Sequence, residues 1–288
     1  MRWTPEGDSS DVEDRRGQTG GRLGGYGPHL GIGGTVVVLL LSVVFHRDFF
    51  ALLGGGTAAG PAQTVSTPVT ESPEEGKLVQ FVTFVLNDDQ RVWERVLPAT
   101  YGVPYHHAKL VLFRDATQTA CGLGQEAMGP FYCPGDEKVY IDLGFYDELR
   151  RRFGAPGDFA QAYVIAHELG HHIQKLVGIE SRVREAMSSS RSQANGLSVR
   201  LELQADCFAG VWGHTTEQRS LVDQNDVRQG LNAAAAVGDD RVLHASGGRV
   251  SPDNFTHGSS AQRVGWFKRG LDSGDPKACD TFSGDGSP

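Results

Sequence analysis

The sequence predicts an α+β fold, a small sheet beside several helices, with one transmembrane helix in front of it. Three observations lead there. Apolar residues recur at helical spacing over long stretches beyond residue 75, short alternating runs bounded by turn residues lie between them, and one uncharged apolar run stands near the start. The chain has 288 residues, and the part beyond the irregular head is long enough for one sizeable core.

Residues 1–29 are polar, charged and glycine-rich, too poor in apolar groups to offset chain entropy, and are expected to be disordered. Residues 30–53 hold the membrane candidate: Leu30 to Phe45 carries no charge, and Phe49 to Leu53 extends it past His46-Arg47-Asp48. The continuous part is shorter than the roughly 20 residues a spanning helix needs, so tilt or snorkelling of Arg47 must make up the difference. A cleaved signal peptide and a buried soluble helix are the competing readings. Residues 54–75 read as a flexible linker and 76–288 as the folded domain. Arg15, Arg16 and Arg22 precede the segment and only Arg47 follows closely. The positive-inside rule then puts the N-terminus in the cytoplasm and the domain outside it, anchored at the cell membrane.

Within the domain, Lys77 to Leu97 has the apolar spacing of a helix that stops at Pro98. Leu110 to Phe113 and Val139 to Leu143 read as strands, and Asp147 to Phe153 as a short helix. Residues 158–177 form an amphipathic helix, with Asp158 as N-cap and Gly178 as its end. A polar connection through Ser188–Ser190 leads to a helix around Glu202, then another from about 224 to 237. The tail beyond Trp266 reads as loop. No internal repeat is visible.

The 158–177 helix contains His167-Glu168-Leu169-Gly170-His171. Two imidazoles four positions apart stack one turn from each other and can grip one metal ion, with Glu168 beside it. The competing reading is a core helix whose histidines merely bond to backbone. Gly170 favours the metal, since glycine inside a helix costs about 1 kcal/mol and usually has a packing or site reason. A catalytic zinc takes three protein ligands and leaves a position open. Glu202 supplies the third, and Asp206, one turn along, would accept the free ring N–H of a ligand histidine. Acidic pairs on helices are commonly a solvated face, but Leu197, Val199, Leu201, Leu203, Phe208 and Val211 make this helix too apolar for that.

The H-E-x-x-H followed by Glu-x-x-x-Asp resembles the gluzincin metallopeptidases. A closer resemblance is to the bacterial family of neutral zinc metallopeptidases. It is carried by Tyr140-Ile141-Asp142-Leu143, His167 to Gln174, Glu202 to Gly210, His257-Gly258-Ser259-Ser260, Trp266 to Gly270, Cys279 to Phe282 and the glycine-rich start with its hydrophobic segment. The resemblance implies a zincin-like domain, membrane-tethered, with one Zn2+ and a peptide or protein substrate.

The ligand set predicts hydrolysis by a zinc-activated water with Glu168 as general base. His257 is a candidate oxyanion donor, with Arg263 behind it, although His257 also reads as a plain surface-loop residue. Val139 to Leu143 is nominated as the edge strand that holds an extended substrate, against the alternative of an ordinary core strand. His172 points about 100° away from His171 and is set aside. His106, His107, His214 and His244 have no partner spacing, and His29 and His46 flank the hydrophobic segment and read as interfacial.

Cys121 and Cys133 bracket a turn-rich loop that a disulfide would brace, leaving Cys207 and Cys279 to pair or stay reduced; an oxidising compartment favours pairing. The net charge of −8, with no basic stripe, excludes a nucleic-acid partner. No phosphate-binding glycine loop and no G-x-S-x-G elbow occurs. The main rival to an endopeptidase is a non-catalytic, zinc-stabilised scaffold. Glu168 argues against it, because structural zinc is closed by four protein ligands and needs no base. Hydrolysis of a non-peptide amide stays open.

Overall fold

The computed structural model describes residues 1–18, 69, 71–125, 129–151, 157–245 and 251–283. The fold is α+β with small sheets, and the spanning helix expected in front is not found among the described residues. Among the described residues no helix is long and apolar enough to cross a membrane. The run at 30–53 that prompted the expectation lies outside the described residues; its continuous part stops at His46-Arg47-Asp48, short of a bilayer's width.

Residues Met1–Gly17, expected within a disordered tail, are ordered and belong with Val69–Pro288 to one unit. Strand β1, Val12–Asp14, runs parallel to β2, Lys109–Phe113, with Val12 opposite Leu110 and Asp14 opposite Leu112. A three-residue strand with two acids has no hydrophobic pattern to betray it. It is held by charges: Glu13 bonds Arg15 and Lys138, Asp11 bonds Lys109, and the buried Arg16 guanidinium bridges Asp14, Glu71 and Glu75. Trp3 adds an apolar anchor against Phe81, with ring centroids 5.3 Å apart.

Helix α1, Pro73–Tyr101, begins at the Ser72 cap and runs through Pro98, where the sequence reading stopped it. In the last turn a proline forfeits little, and the Gly102 N–H still closes on the Pro98 carbonyl. After β2 come a separate hairpin, β3 (Ala116–Thr119) with β4 (Gly122–Gln125), then β5 (Phe131–Cys133) and β6 (Lys138–Asp142). The main sheet has the order β1-β2-β6-β5, with β6 parallel to β2 and antiparallel to β5. The strand nominated as the substrate edge is therefore central, paired on both sides. Its alternation gives a buried face but cannot tell a centre from an edge. The terminal place on this side of the sheet falls to β5, and on the other to β1.

Seven more helices follow among the described residues: α2 (Gly144–Arg151), α3 (Asp158–Leu176), α4 (Ile179–Ser189), α5 (Ala194–Gln218), α6 (Gln224–Ala236), α7 (Asp239–Ala245) and α8 (Ser260–Ser273). Asp158 opens α3 as its first residue, the cap position being Gly157. α4 occupies most of the expected polar connection, and α8 replaces the expected loop after Trp266. Leu110, Leu112, Val139 and Ile141 from the sheet meet Val82, Val85 and Leu86 of α1 and Phe159, Ala162, Ile165 and Leu169 of α3 in one core. This contact fixes α3 on the sheet.

Asp89 of α1 is fully buried, and neither of its carboxylate oxygens has a hydrogen-bond partner. Burial, then the adjacent Asp88 charge, pushes its pKa well up against weaker pulls from Trp93 and Arg219. An acid raised in the folded state stabilises least at high pH: its contribution falls as pH rises from the ordinary carboxylate value through the folded one. Asp89→Asn should flatten that dependence and raise stability at pH 8 relative to wild type. Urea unfolding at pH 5, 6.5 and 8 measures it, and equal pH slopes in the two proteins would contradict the assignment.

Candidate metal centre

His167 and His171 stand one turn apart on α3, and Glu202 and Asp206 one turn apart on α5. The two helices touch at backbone distance: a methyl group on Gly170 would come within 2.8 Å of the Ala205 carbonyl oxygen. No larger residue fits there, which is the packing reason for a glycine inside this helix.

The approach brings three donors together. Glu202 Oε2 lies 3.2 Å from His167 Nε2 and Glu202 Oε1 lies 3.4 Å from His171 Nε2. One ligand atom from each of the three residues falls within 4.8 Å of the others. No other such group of histidine, cysteine and acidic residues occurs among the described residues.

Each imidazole has its Nδ1 occupied from behind. Asp206 Oδ1 is 2.9 Å from His167 Nδ1, and Gln174 Oε1 is 2.9 Å from His171 Nδ1. With both Nδ1 atoms donating, both Nε2 lone pairs face the space beside Glu202, the arrangement a divalent ion of the nitrogen-oxygen class needs.

Asp206 is wholly buried and fully engaged. It accepts from Tyr163 Oη at 2.5 Å and from Arg263 Nε at 2.8 Å and Nη2 at 2.9 Å. Burial pushes its pKa up, but the Arg263 and His167 charges outweigh that and hold it below the usual range. Arg263, considered as an oxyanion donor, is instead buried behind His167 and committed to Asp206, Tyr163 and the Val237 carbonyl. Its helix α8 reaches α5 through another glycine, Gly270, where a methyl group would overlap the Cys207 carbonyl oxygen.

The electrostatics favour a cation. Burial alone would push His167 down, yet the Asp206 charge overcomes it and the imidazole rises to about 10. Glu202 stays well below the usual carboxylate range in spite of burial, drawn down by His171 and His167. A pocket that holds its carboxylates ionised and lifts a histidine welcomes positive charge. Glu168 differs: burial raises its pKa, and the neighbouring histidines offset only part of that. A carboxylate of increased basicity beside the donors suits proton transfer.

His257 stands half-exposed in the turn before α8. Its Nδ1 lies 3.1 Å from Asp239 Oδ1, while Asp239 Oδ2 accepts the backbone N–H groups of Thr256, His257 and Gly258. Burial opposes its charged form, but the Asp239 bond and then the Glu202 charge raise its pKa. His172 is no ligand; it is buried, accepting from Tyr132 Oη at 2.9 Å and donating to the His106 carbonyl at 2.6 Å. Disulfides join Cys121 to Cys133, the last residue of β5, and Cys207 of α5 to Cys279 near the C-terminus. Tyr163, Gln174 and Arg263 were not assigned as histidine and Asp206 partners from sequence. Gln174 and Tyr163 had a signal, at i+3 and i−4 from the two ligand histidines; Arg263 had none.

A histidine pair and a carboxylate around one cation position, with a basic glutamate alongside, are the parts of a zinc hydrolase site. The chain belongs to the family described as putative neutral zinc metallopeptidase, whose profile matches residues 1–282. The uncharacterised protein YpfJ of Escherichia coli (strain K12) is 48% identical over 284 residues, covering 98% of this chain and 99% of that protein. The uncharacterised protein Rv2575 of Mycobacterium tuberculosis is 42% identical over 208 residues, 68% of either chain. No solved structure matches.

Removing one partner of a buried ion pair strands the other charge, at a cost of about 3–5 kcal/mol, whereas removing both costs less. Arg263→Met should therefore destabilise strongly, and Arg263→Met with Asp206→Asn should recover part of the loss. Denaturant unfolding of the double-mutant cycle checks this; additive losses would count against the pair as described.

Proposed function

We propose that this domain is a zinc-dependent endopeptidase, with His167, His171 and Glu202 as ligands of a single Zn2+ and Glu168 as general base. The observation that carries it is the convergence of two Nε2 atoms and a carboxylate within 4.8 Å, with a basic glutamate adjoining. Three donors from the protein, with the Nδ1 atoms of both histidines already engaged, fit an ion that keeps one position for water or substrate. When bound, zinc supplies a Lewis acid that polarises the scissile carbonyl and makes water acidic near neutral pH.

The chain's own groups handle the protons. Glu168 accepts the proton of the attacking water and returns it to the departing amine. His257, with Nδ1 held by Asp239, offers Nε2 as donor to the oxyanion that develops on the substrate. β5 pairs with β6 on one side only among the described residues, so its other edge is the main-chain partner for an extended peptide. Two disulfides support an oxidising compartment outside the cytoplasm as the working location.

Glu168→Gln should retain one zinc per chain and lose peptide hydrolysis by about 10²–10⁴-fold. Glu202→Gln should lose the metal itself. Zinc content and cleavage of an unstructured protein such as casein test both, and a Glu168→Gln variant as active as wild type would end the peptidase reading. His257→Phe should lower kcat by roughly 10²-fold with zinc content unchanged; steady-state kinetics decides whether KM or kcat moves.

A further inference from the structure

We propose that Gln174 and Gln204 form an amide relay that fixes the metal-facing nitrogen of His171 and makes the C-terminal segment part of the metal centre. The inference rests on the zinc reading above and adds positioning residues to it.

The two ligand histidines are anchored by different chemistry. His167 leans on a carboxylate held by an arginine. His171 leans on a neutral amide, Gln174 Oε1, and an amide can flip, so something must choose its orientation. Two backbone carbonyls do. The Cys279 carbonyl only accepts, so the Gln204 atom 2.9 Å from it is Nε2, and Gln204 Oε1 points the other way. The Leu201 carbonyl also only accepts, so the Gln174 atom 2.7 Å from it is Nε2. That same Nε2 donates to Gln204 Oε1 at 3.2 Å. Gln174 Oε1 is thereby turned to His171 Nδ1, which must carry the proton, and His171 Nε2 keeps its lone pair for the metal.

Both glutamines are buried, at 0% and 3% exposure, so water does not substitute for a lost partner. A flipped Gln174 would set its Oε1 against the Leu201 carbonyl and Gln204 Oε1, acceptor on acceptor, and its NH2 against His171 Nδ1–H, donor on donor, leaving buried groups unpaired. The relay thus has one satisfied state.

Its far end is tied down. Cys279 is bonded to Cys207 on α5, and the segment beyond is clasped to the same helix by Arg200 Nη1 donating to the Thr281 carbonyl and Thr281 Oγ1 donating to the Arg200 carbonyl. The residues around 279 therefore lie along the helix that supplies Glu202, and their carbonyl sets the tautomer of a ligand on the other helix.

The test is zinc affinity by chelator competition, with the visible spectrum of the Co2+-substituted protein as a reading of ligand geometry. Gln174→Leu keeps the packing and removes the acceptor; it should weaken zinc about 10–100-fold and alter the Co2+ spectrum. Gln174→Glu keeps an acceptor for His171 Nδ1 and loses the donation to Leu201, so it should hold zinc more tightly than Gln174→Leu while being the less stable fold. Gln204→Leu should weaken zinc by a smaller factor, and its effect should vanish in a Gln174→Leu background, since Gln204 acts only through Gln174. Wild-type affinity and spectrum in folded Gln174→Leu would overturn the relay. A wild-type protein that takes up no zinc would overturn the metal reading and the relay with it.

Discussion

The site depends on how closely α3 and α5 approach. With Gly170 against Ala205 the two backbones are in contact, and only at that separation do side chains as short as Glu202 reach both imidazoles. Had a side chain stood between the helices, the carboxylate would fall short by the width of a methyl group or more. The α5–α8 contact repeats the device with Gly210 and Gly270 and so brings Arg263 to Asp206. Backbone contact also leaves little room for relaxation, because packed interiors resist small displacements. The geometry of the donors is thus set by helix packing rather than by the donors themselves.

Burying Glu168, Glu202, Asp206 and Arg263 in one region is costly, and the arrangement shows how the cost is contained. Asp206 and Arg263 neutralise each other behind His167. Glu202 is left facing the histidines with no full partner of its own; Arg263 Nη2 stands 3.9 Å away. The unbalanced negative charge therefore sits at the place where the three donors converge, and a bound divalent ion is its natural counter-charge. Glu168, outside this pairing, keeps the raised basicity that burial confers.

What could be read in the sequence follows from which interactions are local. Helical periodicity fixes the spacing of His167, Glu168 and His171, and again of Glu202 and Asp206, so both halves of the site are legible. That they meet had to be argued from chemistry. Strand β1 was not legible, since Val12–Asp14 is held by ion pairs to residues distant in sequence. The edge position of β5 was hidden for a related reason: which strand ends a sheet is decided by pairing, not by alternation. Arg263 lies 57 residues beyond Asp206, and nothing in its neighbourhood announces a partner. The spanning helix was inferred from composition alone, without packing to check it.

The sheet and the metal helix are coupled through His172, the histidine whose direction excludes it from the metal. Because it follows His171 directly, it leaves α3 toward the sheet and the 103–108 connection, where it bonds Tyr132 of β5 and the His106 carbonyl. Tyr105 packs edge-on against the same ring. A rotation or slide of α3 that moved His171 would break these buried bonds as well, so the terminal strand and the ligands move together or not at all. The Cys121–Cys133 bond holds the far end of β5 and the Cys207–Cys279 bond holds the segment that feeds the glutamine pair. Each covalent link thus lies one step behind a different flank of the donor set, one behind the strand beside the helix and one behind the glutamine pair at His171. Placing the crosslinks there, outside the donors, holds both flanks of the site rigid without adding a group that would compete for a cation.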